Sequence, residues 1–496
     1  MKSYRPYSPT QAYLLPPSPA EWLPEGHLVY FVLDLVADLD LGPIEQRMQA
    51  KDPRGERPYS PRMMVALLLY GYAIGVFSSR KIGRATYEDV GFRVLAAGAH
   101  PHFTTVNDFR GTHREALAGL FLHVLRLCQR AGLVKLGHVA IDGTKMKANA
   151  SKHKAMSYDR MAKDEARLKA EIEALLARAD QADAAEDAQY GVGEEPEDVP
   201  AEMKRRQDRL DKIRAARAAL EQEAADARAA ELIALADDLR TTAAEPTTSP
   251  QAAGACMTLA AQRDQQAAEL DDDDRDPPPP GPDDDVPRHA PPTNPDGTPK
   301  PNAQRNFTDP DSRIMLRDGG FLQAYNAQIA VDEDHQIIVA AAVGNQAPDA
   351  EYFEPMLDRI VDNCDAVPTA TTGDAGYFSA SNVHAAEHMG TEPFLAMARL
   401  RRGEPQAPPP DLTVPVDARS RMRATLADPR GRAIYARRKS TVEPVFGQIR
   451  AARGFHHFSF RGLWKTRCEW LFVCLTHNLL KLYRATTGAP AAAQLA

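Results

Sequence analysis

Apolar positions along the chain change period several times, and those changes divide it. From Leu28 to about Gly132 they recur at helical spacing. Tyr59-Ser60-Pro61-Arg62 predicts a helix start, with Ser60 as N-cap and Pro61 at the first helical position. The segment 62–77 then buries Met63, Leu67, Tyr70 and Ile74. A turn at 78–81 leads to a helix ending near Gly91, Thr104-Thr105 opens another, and Leu117, Leu120, Phe121, Val124 and Leu127 form the apolar face of the next. Short connections between helices predict a compact all-α domain over 1–135. At 138–149 the pattern becomes that of a strand, where Val139, Ala140 and Ile141 run into Asp142-Gly143.

Helical spacing then returns. Residues 156–182 carry the stripe Met161, Leu168, Ile172, Leu175, and residues 201–240 carry Leu210, Ile213, Leu220, Ala224 and Leu232, both at near-heptad spacing of coiled-coil type. An acidic Gly/Pro stretch (184–200) joins them, which predicts an inserted helical hairpin over 156–240. From 241 to 305 Thr, Pro and Asp dominate, and a disordered linker is expected. Strand signals reappear at 321–343, where Tyr325, Ala327, Ile329 and Val331 alternate with polar residues and a turn at 332–335 precedes the apolar run Ile337 to Val343. A helix (352–360), a strand running from Pro368 to Gly373 with Asp374 at its end, a helix capped by Ser379 and a strand at 393–398 follow. A Pro-rich loop (404–415) leads to helices at about 416–427 and 443–452 and to a buried one at 466–484. With the insert set aside, 136–155 and 306–484 form one split, mixed α/β unit of about 190 residues, leaving 485–496 as a tail.

Composition adds constraints. The longest near-apolar run, Met63 to Phe77, is broken by glycines and falls short of the roughly 18 residues a membrane span needs. No signal-peptide pattern opens the chain, so a cytoplasmic protein is expected. Five cysteines, none in a Cys-x-x-Cys pair, argue against a disulfide framework or structural zinc. The formal net charge of −8 is unevenly spread. Residues 269–285 hold nine acids against Arg275 alone, whereas 430–484 hold twelve Lys/Arg against Glu443 and Glu469. An acidic whole is therefore compatible with a nucleic-acid partner, because the local field decides binding. Arg80, Lys81, Arg84, Arg93, Arg110 and Arg114 give the N-terminal helices basic points that suit either a solvated surface or DNA contact.

Three carboxylates have settings suited to metal chemistry. Asp142 and Asp374 each end a rigid apolar strand, and Glu443 stands in Thr-Val-Glu-Pro-Val-Phe-Gly. Acidic ligands holding two divalent ions about 4 Å apart support in-line phosphodiester transfer. Each also has a plain structural reading: Asp142-Gly143 as a hairpin turn, Asp374 as a turn former, and Glu443 as a carboxylate at a helix N-terminus.

Taken in order, the segments Ser-Pro-Arg-Met-Met, Asn-Asp-Phe-Arg, Ile-Asp-Gly-Thr-Lys, Thr-Asp-Pro-Asp-Ser-Arg (308–313), Tyr-Asn-Ala-Gln (325–328), Gly-Asp-Ala-Gly-Tyr (373–377), Thr-Val-Glu-Pro-Val-Phe-Gly (441–447) and the run from Arg-Gly-Phe (453–455) to His-Asn-Leu (477–479) resemble a DDE-type transposase of a bacterial insertion sequence. The resemblance implies a ribonuclease-H-like catalytic domain with Asp142, Asp374 and Glu443 as catalytic, metal-binding acids. It implies two Mg²⁺ ions, with Mn²⁺ as a substitute. The family's Tyr-Arg-Glu-Lys signature resembles Tyr435, Arg438 or Lys439, Glu443 and Arg450; here the last position is Arg, and Tyr435 stands one residue further from the Glu. DNA contacts are expected at Lys145, Lys147, Arg437, Arg438, Lys439, Arg450 and Arg453, where they would neutralise phosphates. Phe455, Phe458, Phe460 and Trp464 suit either base stacking or core packing. The expected partners are terminal inverted repeats and target DNA, engaged by a homodimer in the bacterial nucleoid. A metal nuclease that cuts without joining, a non-catalytic DNA-binding relative, and a phosphohydrolase with Asp142 as nucleophile are the alternatives.

Overall fold

A computed structural model describes residues 18, 21–50, 57–190, 201–270, 286–397 and 417–488. Most of the Pro/Tyr-rich start, the stretch 191–200, the Asp runs at 271–285, the Pro-rich loop at 404–415 and most of the tail lie outside the described residues.

The N-terminal part is helical: α1 (Leu28–Asp38), α2 (Gly42–Gln49), α3 (Pro61–Ala73), α4 (Ser79–Glu88), α5 (Val90–Leu95), α6 (Phe103–Thr112) and α7 (Arg114–Arg130). Pro61 opens α3 as its sequence predicts, but Ser60 makes no side-chain cap bond. Every residue from Met64 to Ala73 is buried, so α3 is the helix around which the others pack. Arg110 is not a surface basic point. Its guanidinium is buried, donates to the Tyr72 hydroxyl at 2.9 Å and the Phe77 carbonyl at 3.0 Å, and lies 4.8 Å from the Phe460 ring centroid. The Tyr72 hydroxyl in turn donates to Glu469 at 3.4 Å. A buried charge persists only when it is paired in this way, and the pairing fastens the N-terminal helices to the C-terminal one.

The remainder is built on a mixed sheet: β1 (His138–Lys147), then β2 (Ala155–Ser157), α8 (Tyr158–Tyr190), α9 (Ala201–Ala244), α10 (Pro250–Ala268), β3 (Gln304–Asn306), β4 (Arg313–Arg317), β5 (Gly320–Asp332), β6 (Ile338–Gly344), α11 (Phe353–Cys364), β7 (Ala370–Gly373), α12 (Ala380–Met389), β8 (Glu392–Leu395), α13 (Ala418–Ala427), α14 (Pro429–Thr441), α15 (Glu443–Gly447), a π-turn (Gln448–Ala452) and α16 (Leu463–Thr487). β1 is central, antiparallel to β5 and parallel to β7, and β8 continues the sheet in parallel. β5 is long enough that its outer edge is shared, with β4 on its first half and β6 on its second. This is the ribonuclease-H-like order of three antiparallel strands followed by two parallel ones.

Among the elements that the sequence pattern did not predict are β4 and α14. β4 pairs with β5 through Asp318-Gly319, both at positive φ, which is the backbone a two-residue hairpin demands. α14 begins at Asp428-Pro429, where the Asp428 side chain accepts from the Arg430 and Gly431 amides. Asp142-Gly143, by contrast, is no turn and no strand end: β1 runs through it to Lys147, paired on β5 at every step.

The insert is larger than a hairpin. Met161, Leu168 and Ile172 of α8 pack on Leu210, Ile213 and Ala216 of α9, but α10 also lies along α9. The stretch 241–305 is therefore not uniformly unstructured. Ser249 caps α10 and Pro250 takes its first position, while Ala260 and Ala267 are buried. The overall Thr/Pro/Asp composition hid an Ala-rich helix. β2 and β3 pair at the root of the insert and bring its two ends together.

α16 packs against α3, α7 and β6. It also protects the outer edge of β6. The Asn478 amide accepts from the Ile338 N–H and donates to the Ile338 carbonyl, both at 2.8 Å, and Arg467 donates to the Val343 carbonyl at 2.7 Å. Unpaired edge groups invite foreign strands or cost desolvation energy. Phe455 and Phe458 are fully buried with Trp470, so for these two rings the core-packing alternative holds. No helix among the described residues is long and apolar enough to cross a membrane.

Asn478→Ala leaves two buried backbone groups of Ile338 without partners. It should lower unfolding free energy by about 2–4 kcal/mol, read from urea-denaturation midpoints; an unchanged midpoint would show that the edge is satisfied in another way.

Candidate active site

The pairing of β1 with β7 assembles the first part of the site. Their parallel register pairs His138 with Ala370, Val139 with Thr371 and Ala140 with Thr372. Continued by two residues, it sets Asp142 level with Asp374, which follows directly on Gly373 at the end of β7. Residues level on adjacent parallel strands share a face, and neighbouring strands are about 4.8 Å apart. His138 marks the same face, since its Nε2 lies 3.0 Å from Thr372 Oγ1. Asp374 also acts as a turn former, accepting from the Gly376 amide at 2.7 Å.

α14 lies over that face and lowers Arg438 into it. Arg438 Nη1 is 3.1 Å from Asp142 Oδ2, and Nη2 is 3.6 Å from Glu443 Oε1. The side chains of Arg438 and Asp142 are only 11% and 17% exposed, whereas Glu443, at the first position of α15, is 52% exposed. Tyr435, one turn earlier on α14, is half-buried within electrostatic reach of Arg438, Asp374 and Asp142. Arg450 in the π-turn approaches Thr144, two residues along the same face of β1, with its Nη1 3.4 Å from Thr144 Oγ1. Burial opposes the charge of Arg438, but Asp142, Tyr435, Asp374 and Glu443 together hold its pKa above the ordinary value. Its Nε is buried with no hydrogen-bond partner among the described residues.

Burial pushes the Asp142 carboxyl up to about 7; Arg438 pulls it down, while the negative charges of Asp374 and Asp349 add to the rise. Asp349 is a fourth carboxylate that the sequence reading did not single out. It sits on the other face of β1, where its Oδ1 accepts from Asn326 Nδ2 (2.7 Å), Gln328 Nε2 (2.9 Å) and Lys145 Nζ (2.9 Å). Tyr377 donates to Gln328 Oε1 and completes this network. Gly143 leaves room for it, since a Cβ there would meet the Gln328 amide and lie 3.0 Å from Asp349 Oδ1. A signal was present in the sequence: Asn326 and Gln328 interrupt the apolar positions of β5, and buried polar groups require partners.

The expected phosphate contacts divide. Arg438 and Arg450 lie at the acid cluster. Lys147 and Lys439 are exposed, the first at the end of β1 and the second on α14. Lys145 is committed to Asp349 on the face opposite Asp142, so it does not present a free charge beside Asp142 and Glu443. Arg437 is paired at 3.1 Å with Glu333, which also binds His138 at the far end of β1. Arg453 is a correction. It is buried, donates to the Val473 carbonyl and to Thr476 Oγ1 at 2.8 Å, and burial drives its pKa down to about 10; it is a core residue, not a phosphate ligand.

Among the described residues no three His, Cys, Asp or Glu side chains already converge as a metal cage. The donor chemistry nevertheless fits a divalent cation. Asp142 and Asp374 lie within electrostatic reach of each other, burial and that neighbouring charge push the Asp142 carboxyl toward neutral pH, and the guanidinium of Arg438 bridges Asp142 and Glu443.

The family described as Transposase DDE domain matches residues 309–479, and the family described as Transposase domain (DUF772) matches residues 17–112. The first match contains Asp374 and Glu443 and begins after Asp142 and the insert. No curated protein and no solved structure matches the chain.

The raised Asp142 carboxyl carries a pH signature. Between the ordinary value of 3.8 and about 7, the folded state holds a proton that the unfolded state has released. Stability attributable to this group therefore falls as pH rises through that window and is flat above it. In chelator, the urea midpoint of the wild type relative to Asp142→Asn should decline from about pH 5 to about pH 7 and then level off. A difference that does not vary with pH would mean Asp142 titrates at the same pH folded and unfolded.

Proposed function

The chain belongs to the DDE-type transposases of insertion sequences, and from that premise we propose that it cuts the element's DNA ends and joins them to target DNA, using two divalent ions held by Asp142, Asp374 and Glu443. As a DDE transposase it is a DNA-cleaving, strand-transferring enzyme. The observation that carries the residue assignment is the β1–β7 register, which makes Asp142 and Asp374 level neighbours, with Arg438 linking Asp142 to Glu443.

Magnesium is the natural ion for such all-oxygen ligands, with manganese able to replace it. When bound, the ions supply the charge that activates an attacking water or 3′-hydroxyl and stabilises the leaving oxygen. The protein's own groups do the rest. Asp142 and Asp374, fixed on adjacent strands, present oxygens at one level. Glu443, more exposed, completes the set from a short helix whose N-terminus favours its negative charge. Arg438 bridges Asp142 and Glu443 and offsets the repulsion between their charges. Arg450 and Lys439 add positive charge along the same approach, and Tyr435 holds Arg438 from behind.

In this reading residues 1–135 bind the terminal inverted repeats, 136–155 with 306–484 carry out catalysis, and two copies pair the ends on the bacterial chromosome.

The test uses a plasmid carrying both ends of the element and a second, target plasmid, with Mg²⁺ or Mn²⁺. Asp142→Asn, Asp374→Asn and Glu443→Gln should each lower end cleavage by about 10³-fold or more, equivalent to ~4 kcal/mol of barrier, while leaving DNA binding in place. Wild-type protein should also produce joined products. Cleavage without joining would make it a nuclease, and cleavage that survives Asp142→Asn would remove Asp142 from the site.

A further inference from the structure

The inserted helices carry two kinds of basic residue. On the side where α8 meets α9, Arg167 is paired with Asp164 and Glu171, and Arg214 and Arg217 are paired with Glu165. These charges are neutralised within the insert. A second set is not. Lys152, Lys154, Arg160, Arg205 and Lys212 are exposed and make no ion pair with any described residue. Arg209 beside them reaches Asp164 only at 3.8 Å.

This second set surrounds one feature. An open cleft of about 610 Å³ is lined by Lys154, Arg160, Arg205, Arg209 and Lys212, with Asp208 as its lone acid. A second cleft of about 710 Å³ adjoins it, sharing His153, Lys154 and Thr308, and extends to Lys147, Lys152 and Arg461. Together they form a basic groove running from the end of β1 onto the inserted helices. Arg205, Arg209 and Lys212 follow one another at i, i+4 and i+7, so they line one face of α9. The groove is held in place from below: β2 pairs with β3, the Phe307 amide donates to the Lys154 carbonyl at 3.0 Å, and Asn306 Nδ2 donates to the Ser151 carbonyl at 2.8 Å. At its lip the β4–β5 hairpin presents Phe321, 63% exposed, opposite its cross-strand partner Leu316, 58% exposed.

We infer that this groove is a track for the DNA backbone, making the insert a DNA-binding arm of the catalytic domain. The inference rests on the transposase reading and adds the role of the insert to it. Unpaired cations ranged along a groove, rather than scattered over a surface, match the spacing of a polyanion. An exposed aromatic at the lip suits the faces of bases and sugars. The location agrees: Lys147 is five strand residues from Asp142, about 17 Å away, roughly half of the ~34 Å repeat of B-DNA. Lys147 shares the Lys145 face of β1, so a duplex whose scissile phosphate lies at the acid cluster would pass the end of the strand to reach the groove.

The test is fluorescence anisotropy of a labelled random-sequence duplex of about one hundred ångströms in length, roughly three turns, titrated with full-length protein over a range of KCl. Neutralising three groove charges (Lys154→Gln with Arg205→Gln and Lys212→Gln) should reduce the slope of log affinity against log salt by about 2–3 and weaken binding roughly tenfold or more at ~0.1 M salt. Arg167→Gln, on the internally paired side, should leave both unchanged. In the wild type, DNA should protect Lys152, Lys154 and Lys212 from acetylation, a reading that does not depend on how well any variant folds. If wild-type protein cuts element ends but the triple variant keeps the wild-type slope and DNA leaves these lysines reactive, the groove assignment is overturned and the transposase reading stands. If wild-type protein neither binds nor cuts DNA, both fall. Protection that is present without DNA and lost on deleting 269–285 would hand the groove to the chain's own acidic stretch and overturn the assignment.

Discussion

The structure depends on β1 being paired along both edges. One edge is taken by β5, antiparallel and some 190 residues later, and the other by β7, parallel and later still. Neither partner is local in sequence, so the site forms only when the sheet does. The parallel register is what sets Asp142 and Asp374 at one level. Because side chains alternate, a slip of one residue in either pairing would move Asp142 to the opposite face, among the Asp349 network and away from Arg438. The geometry of the candidate site and the register of the sheet are thus one constraint.

Around that strand the charges are separated by face. On one side Asp142 and Glu443 meet Arg438, with Asp374 within its electrostatic reach; on the other, Asp349 is satisfied by Asn326, Gln328 and Lys145 and approaches Asp374 beside Gly376. The second cluster holds the strands in register with hydrogen bonds that only one alignment satisfies, and its negative charge reaches through to Asp142. The first holds a carboxyl raised chiefly by burial and an arginine Nε with no partner among the described residues. Along the β6 edge, by contrast, Asn478 and Arg467 bind the backbone groups of Ile338 and Val343 and close the sheet.

The Arg110–Tyr72–Glu469 chain and the packing of α16 on α3 and α7 join the N-terminal helices to the sheet. The insert is attached differently. It leaves the sheet after β1 and returns before β4, and its two ends are tied by the β2–β3 pair. Such a root allows a long excursion without disturbing the sheet, since closing a loop costs little more as it lengthens.

Much was legible in the sequence because it depended on local period or on short motifs. The N-terminal helices, β1, the β5–β6 hairpin, α8 and α9 followed from hydrophobic spacing, and α12 from Ser379 as its cap, which accepts from the Asn382 amide. Motif order was enough to give the family and the ribonuclease-H-like fold. Other features were local but masked: α10 by the composition around it, α14 by an unread Asp-Pro start, β4 by a turn next to it. The remainder was not local at all. Asp142-Gly143 and Asp318-Gly319 are the same dipeptide, yet one is mid-strand and the other a hairpin turn, because partners distant in sequence pair β1 on both sides. Arg438, Arg453 and Arg110 are equivalent as letters. Tertiary packing alone set the first against two carboxylates and sank the other two into the core, because the worth of a charge depends on how much water is removed from it and on what replaces that water.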